Sequence, residues 1–185
     1  MQRIALVIGL YIRILTLQAK PQDLPGVNAV MVGTLLVSIV TYLLVSTTVY
    51  PLGESVFRAL IDMGLLILVL RLGLRIVGHP ARFVQGFSAL CGVSALLNLA
   101  SLPIFQALGS GSSEQTVSVE LYFAGLFLHV WSVVAVGHVF RHCFDTRFAI
   151  GVLVAISYMI AVVVTSNVLF PHDVAPSGAY ESVIE

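Results

Sequence analysis

Long apolar runs separated by short polar or basic breaks dominate this chain. Five runs cover about 28–49, 53–76, 83–107, 120–141 and 148–170. Each is close to the ~20 residues a helix needs to cross ~30 Å of hydrocarbon. Pro51 and Gly53 punctuate the first hairpin, and GSGSSEQT at 109–116 reads as a flexible loop before the fourth run. Ahead of the runs, residues 3–18 are apolar but amphipathic. At about 100° per residue, Gln2, Gly9, Arg13, Thr16 and Lys20 share a narrow arc with Arg3 at its edge, and Leu6, Leu10, Tyr11, Ile14 and Leu17 take the other faces. That pattern predicts a helix lying in a headgroup layer, its basic face against anionic lipid. Pro21, Pro25 and Gly26 then break the chain. The expected fold is an all-α polytopic membrane protein with five transmembrane helices preceded by an amphipathic interfacial helix. Its parts are the interfacial helix at 1–20, the transmembrane domain at 21–170 and a polar tail at 171–185.

Charge gives this pattern a direction. Of the 9 Lys and Arg residues, only Arg58 falls outside three segments on one expected side. Arg3, Arg13 and Lys20 precede the first run, Arg71, Arg75 and Arg82 flank the second connection, and Arg141 and Arg147 flank the fourth. The opposite connections carry Glu54, Glu114, Glu120, Asp173, Glu181 and Glu185. Short basic loops stay in the cytoplasm, so the N-terminus is expected there and the tail in the periplasm of a bacterial inner membrane. Composition agrees: 58% of residues are hydrophobic and 10% charged, against ~25% charged in a soluble domain. No basic stripe with interleaved aromatics points to nucleic acid. A cleavable signal peptide is not expected, because Arg13 interrupts the early apolar run and no small-x-small site follows. Cys91 and Cys143 lie in or beside runs on the expected cytoplasmic half, where a disulfide is not expected.

Within the runs, Glu54, Arg58 and Asp62 recur at i, i+4 and i+8, hence on one helix face. Arg71 lies nine residues beyond Asp62, about 13 Å along the axis, which puts Asp62 near the middle of the bilayer. An ionised Asp there costs at least ~2.5–3.5 kcal/mol. Arg58 is its natural partner, with Glu54 bridging from the outer interface. This reads as an ion or proton site, a contact gripping a partner helix, or an ion pair that only orients the helix. His129 lies at a depth comparable to Asp62, so a hydrogen bond between them is plausible. His138 and His142 share a face beside Cys143, a weak metal-binding pattern with no acidic ligand; no cofactor is expected. Small and polar residues form stripes: Thr34, Ser38 and Thr41; Cys91, Ser94, Ala95, Asn98 and Ser101; Gly151, Ala155 and Tyr158. Such stripes allow close helix approach and hydrogen bonds across it. A weak parallel repeat also shows, since Arg82-Phe83 and Arg147-Phe148 each lead to a glycine, Gly86 and Gly151.

The stretches PLGESVFRALID (51–62) and RFVQGFSALCGVSALLNLASLP (82–103), with the proline-terminated N-terminal segment and five close-set spans, resemble the bacterial branch of the Yip1-type membrane domain over about residues 1–170. The resemblance implies a non-enzymatic, partner-binding membrane protein and supplies no active-site residues.

Nucleotide-binding, serine-hydrolase and zinc-protease motifs are all missing from the sequence. The expected function is therefore a non-enzymatic scaffold or accessory subunit. It would sit among membrane lipid and bind another membrane protein, or its own copy, through Glu54, Arg58, Asp62, Asn98 and His129. The alternative is a small oligomeric ion or solute carrier using Asp62, Arg58 and His129. A topology reporter fused after Glu185 is expected to read as periplasmic; a cytoplasmic reading would overturn the odd number of spans.

Overall fold

The computed structural model describes residues 2–109 and 119–171, and these are helical almost throughout. The helices are α1 (Gln2–Leu15), α2 (Asn28–Ser46), α3 (Leu52–Ile76), α4 (Phe83–Gly109), α5 (Val119–Phe144) and α6 (Phe148–Leu169). They follow the expected runs closely. Pro103 lies inside α4, which continues through it to Gly109. Most of the loop at 109–116 and nearly all of the tail, with Glu114, Asp173, Glu181 and Glu185, lie outside the described residues.

By length and composition, α2, α4, α5 and α6 are apolar enough to cross a membrane. α3 is long enough but differs in charge. Each of its 18-residue windows holds at least three of Glu54, Arg58, Asp62, Arg71 and Arg75. Its buried side chains nevertheless form one stripe: Ser55, Arg58, Ala59, Met63, Leu66, Leu70 and Leu74. The spacing of three and four residues keeps them on one face, so α3 turns part of its charge inward with its apolar seam.

α4 and α5 lie at the centre, and their buried stretches, Phe87–Val93 and Ala135–Phe140, form much of the core. α4 packs most extensively on α2, and α6 on α5, while α3 touches α2, α4, α5 and α6. The two hairpins of the weak repeat are therefore packed differently: α6 lies mainly on its hairpin partner, whereas α4 lies mainly on α2. The α5–α6 approach depends on two glycines. A Cβ at Gly137 would lie 2.8 Å from the Val152 Cα, and one at Gly151 would collide with the Gly137 carbonyl oxygen and the Arg141 backbone.

One end of the bundle gathers three helix stops of the same kind. α1, α3 and α5 each end on a residue in the left-handed region: Leu17 (φ 63), Gly78 (φ 77) and Asp145 (φ 56). Each is followed by a six-to-one backbone bond, Gln18 N–H to Arg13 O, His79 N–H to Leu74 O and Thr146 N–H to Arg141 O. These bonds occupy carbonyls that a helix end leaves open. α1 is docked on this end as well. Tyr11 and Ile14 are buried, with the Tyr11 ring directly against Gly92 of α4, while Arg13 stays exposed.

Overpacking a close contact costs about 1–3 kcal/mol. Gly151→Ala should lower stability by about that amount in a detergent unfolding titration. Gly64→Ala, where a Cβ meets open space, should be neutral or stabilising.

Candidate functional site

Three groups of polar side chains stand out, and they divide the residues read from the sequence. The first lies where α2, α3 and α6 meet, away from the end that carries the three helix stops. Arg58, only 6% exposed, donates from Nε to Glu54 Oε1 at 2.8 Å, and its Nη2 lies 2.7 Å from the same oxygen. Its guanidinium also sits 4.1 Å from the Tyr50 ring centroid and 5.7 Å from that of Phe170. Of the two expected contacts of Arg58, the one to Glu54 forms, and among the described residues no ion pair links Arg58 to Asp62. Helical side chains lean toward the helix N-terminus, so Arg58 reaches back to Glu54 rather than forward to Asp62.

Asp62 is satisfied from α6, where the Tyr158 hydroxyl donates to its Oδ1. Both residues stand mid-helix. At the α2–α3 turn, the Ser46 hydroxyl donates to Ser55 Oγ at 3.0 Å and ties the end of α2 to the first turn of α3. Tyr158 was visible in the sequence only as the third member of the Gly151, Ala155, Tyr158 stripe, which the structure buries. Nothing in the sequence marked Tyr158 as the partner of Asp62.

The second group is an opening of about 300 Å³ between α4 and α5, lined by Asn98, Ser101, His129 and Ser132 among apolar neighbours. Ser101 and Ser132 donate to the Asn98 and His129 carbonyls at 2.9 and 2.6 Å. Asn98 reaches the Thr41 hydroxyl on α2 at 3.5 Å, a long contact. The His129 residue is exposed. Among the described residues, no hydrogen bond links His129 to Asp62. Asn98 and His129 stand together, separate from the Glu54, Arg58 and Asp62 group.

The third group binds the 19–24 segment to the end with the three helix stops. His138 Nε2 meets the Ala19 carbonyl at 3.0 Å, which requires the hydrogen to be on Nε2. Gln22 donates to the His142 carbonyl at 2.7 Å, and Gln85 donates to the Gln22 and Leu24 carbonyls at 3.1 and 2.9 Å. The His138 and His142 rings meet edge to face at 4.6 Å. Cys143 Sγ packs where a Cβ on Gly86 would come within 2.6 Å. The surface pair Arg82–Asp145, at 3.8 Å and largely solvent-exposed on the Asp side, adds little. Among the described residues no group of three or more His, Cys, Asp or Glu is arranged to hold a metal. His138 and His142 work here as structural contacts. Gln22 and Gln85, which make most of this attachment, carried no signal in the sequence.

Comparison with family models, with curated proteins and with solved structures finds no match for this chain.

Leaving a buried acceptor unpaired costs about 1–3 kcal/mol, whereas replacing both partners by apolar groups is nearly neutral. Tyr158→Phe should therefore destabilise the protein by that amount. Adding Asp62→Leu to Tyr158→Phe should recover most of the loss, as read from unfolding in detergent across the double-mutant cycle.

Proposed function

We propose that this chain is a non-enzymatic intramembrane scaffold or accessory subunit, and that it holds a membrane-protein partner at the outer halves of α4 and α5. In this reading α3 is a fifth span. The charges of Arg58 and Asp62 are tolerated because Glu54, Tyr158 and the rings around Arg58 satisfy them inside the bundle, while Arg71 and Arg75 stay exposed in its last turns. The one-sided distribution of Lys and Arg orients the N-terminus to the cytoplasm and the tail to the periplasm of a bacterial inner membrane.

The observation that carries the reading is the second polar group. His129 lies ten residues from Val119 and fifteen from Phe144, and Asn98 lies fifteen residues into α4. At 1.5 Å per residue both fall about 15–22 Å along their helices, far from either headgroup layer. Around them the outer half of α5 exposes Tyr122, Phe123, Leu126, Phe127 and Val130. Polar groups exposed at mid-depth to lipid lose hydrogen bonds that hydrocarbon cannot replace. A partner helix offering a polar side chain would restore them. The Glu54, Arg58 and Asp62 group, by contrast, is internally paired and serves the bundle rather than the partner. The carrier alternative needs Asp62, Arg58 and His129 along one path, and their division between two sites counts against it.

A photoreactive residue at Phe127 is expected to cross-link a defined protein in intact cells, and one at Val168, on the exposed face of α6, is not. His129→Leu and Asn98→Leu should each weaken that capture by about three- to twentyfold, the range of intramembrane hydrogen bonds, with no loss of folding. Equal cross-linking at both positions, or capture unchanged by His129→Leu, would sink the proposal.

A further inference from the structure

The bundle accounts for only one face of α3. The other face carries Phe57, Leu60, Gly64, Leu68, Arg71 and Arg75, all exposed. At about 100° per residue they lie within about 40° of the Gly64 direction, opposite Asp62 and the buried seam. The helix thus presents a strip of apolar or small positions that ends in two arginines one turn apart. Gly64 leaves a dent between Leu60 and Leu68, where an added Cβ would meet nothing within 4 Å.

Depth and charge decide what this strip can hold. Arg71 and Arg75 lie nineteen and twenty-three residues beyond Leu52, about 28 and 34 Å along the axis. With α3 as a span, as proposed above and required here, they bracket the edge of ~30 Å of hydrocarbon. Among the described residues neither forms an ion pair, whereas Arg58 has Glu54 and Arg82 has Asp145. The Arg71 guanidinium is nevertheless held in place. It lies 4.8 Å from the Phe83 ring centroid, and Phe83 stacks at 5.5 Å on the buried Phe87. Residues spaced i, i+4 on a helix have their Cβ atoms about 5–6 Å apart, so both guanidiniums can reach one phosphate.

We propose that this face of α3 binds one anionic phospholipid, with its phosphate on Arg71 and Arg75 and an acyl chain along Leu68, Gly64 and Leu60. The Phe83 ring positions Arg71 for that contact. An uncharged chain would match the apolar strip alone, and free phosphate would match the arginines alone. An anionic phospholipid matches both, in the order in which depth sets them. Unpaired basic residues at headgroup level attract such lipids, and here an anchored ring and an adjoining strip give the attraction a fixed place.

The test is native mass spectrometry of the full chain released from nanodiscs that hold phosphatidylglycerol and phosphatidylethanolamine. The expected result is one retained phosphatidylglycerol per chain, at a level that saturates as its share of the nanodisc rises. Arg71→Gln and Arg75→Gln should each weaken retention about fivefold, the worth of one basic residue at an anionic surface, with unfolding in detergent unchanged. Arg147→Gln, at an exposed arginine of the same end, should leave retention as it is. Phe83→Leu should weaken it about two- to fivefold, the worth of an exposed cation–π contact, and should add nothing when combined with Arg71→Gln. Equal retention of the two lipids, retention that never saturates, displacement by excess inorganic phosphate, or an equal loss with Arg147→Gln overturns the proposal. Gly53→Cys and Ile76→Cys test the span separately, since the native Cys91 and Cys143 are buried. A membrane-impermeant maleimide should reach the two new thiols from opposite sides. Labelling from one side overturns the span and the lipid site together; labelling from opposite sides without selective retention overturns the lipid site alone.

Discussion

α3 has to carry charge and apolar surface on the same helix, and the arrangement of the other helices follows from how that is resolved. Arg58 and Asp62 are only four residues apart, yet they are satisfied by different neighbours: Arg58 by Glu54 and two aromatic rings, and Asp62 by Tyr158. The division depends on the lean of helical side chains toward the N-terminus. Because Arg58 is taken up within its own helix, Asp62 needs a donor from elsewhere, and that donor fixes the rotation of α6 about its axis. Breaking a buried charge contact costs more than forming it returns, so the group resists rearrangement more than it adds stability.

The rest of the bundle is held by close approach. Gly137 and Gly151 bring the α5 and α6 backbones together, and Gly92 accepts the Tyr11 ring. Where lipid tails are as apolar as leucine, packing of this kind replaces the hydrophobic effect as the source of helix association. The 19–24 segment adds a polar attachment at one end, because its carbonyls are met by His138 and Gln85 instead of water. Two spaces interrupt this packing, and they differ in chemistry. The opening between α4 and α5 has hydrogen-bonding groups and exposed aromatics around it, which suits a protein partner. The space beside α1 is lined almost wholly by apolar side chains.

Much of the fold was legible in the chain because apolar run length and helix length are the same quantity. Asn28–Ser46, Leu52–Ile76 and Phe148–Leu169 fall almost where the runs do. The stripes of small residues were legible for a similar reason, since i, i+4 spacing defines a face without reference to any neighbour. The pairings were not. Arg58 with Asp62 and His129 with Asp62 were reasonable expectations from depth along each helix, but depth says nothing about which helices are adjacent. The α1 helix was read as lying flat because its polar arc is narrow. Its apolar side carries Tyr11 and Ile14, which bury against a protein surface, and Gly92 leaves room for the ring.

The sequence by itself determined the helical class, the extents of the helices, the gathering of basic residues in alternate connections and the shared face of Glu54, Arg58 and Asp62. Each of these is a property of a single segment, set by hydrophobicity, period or local charge. Only the tertiary structure decided that Tyr158 answers Asp62, that Asn98 and His129 border one opening, and that Tyr11 stands at the wall of another. Those facts depend on helix rotation and neighbour order, which arise from packing between segments far apart in the chain and leave no periodic trace in any one of them.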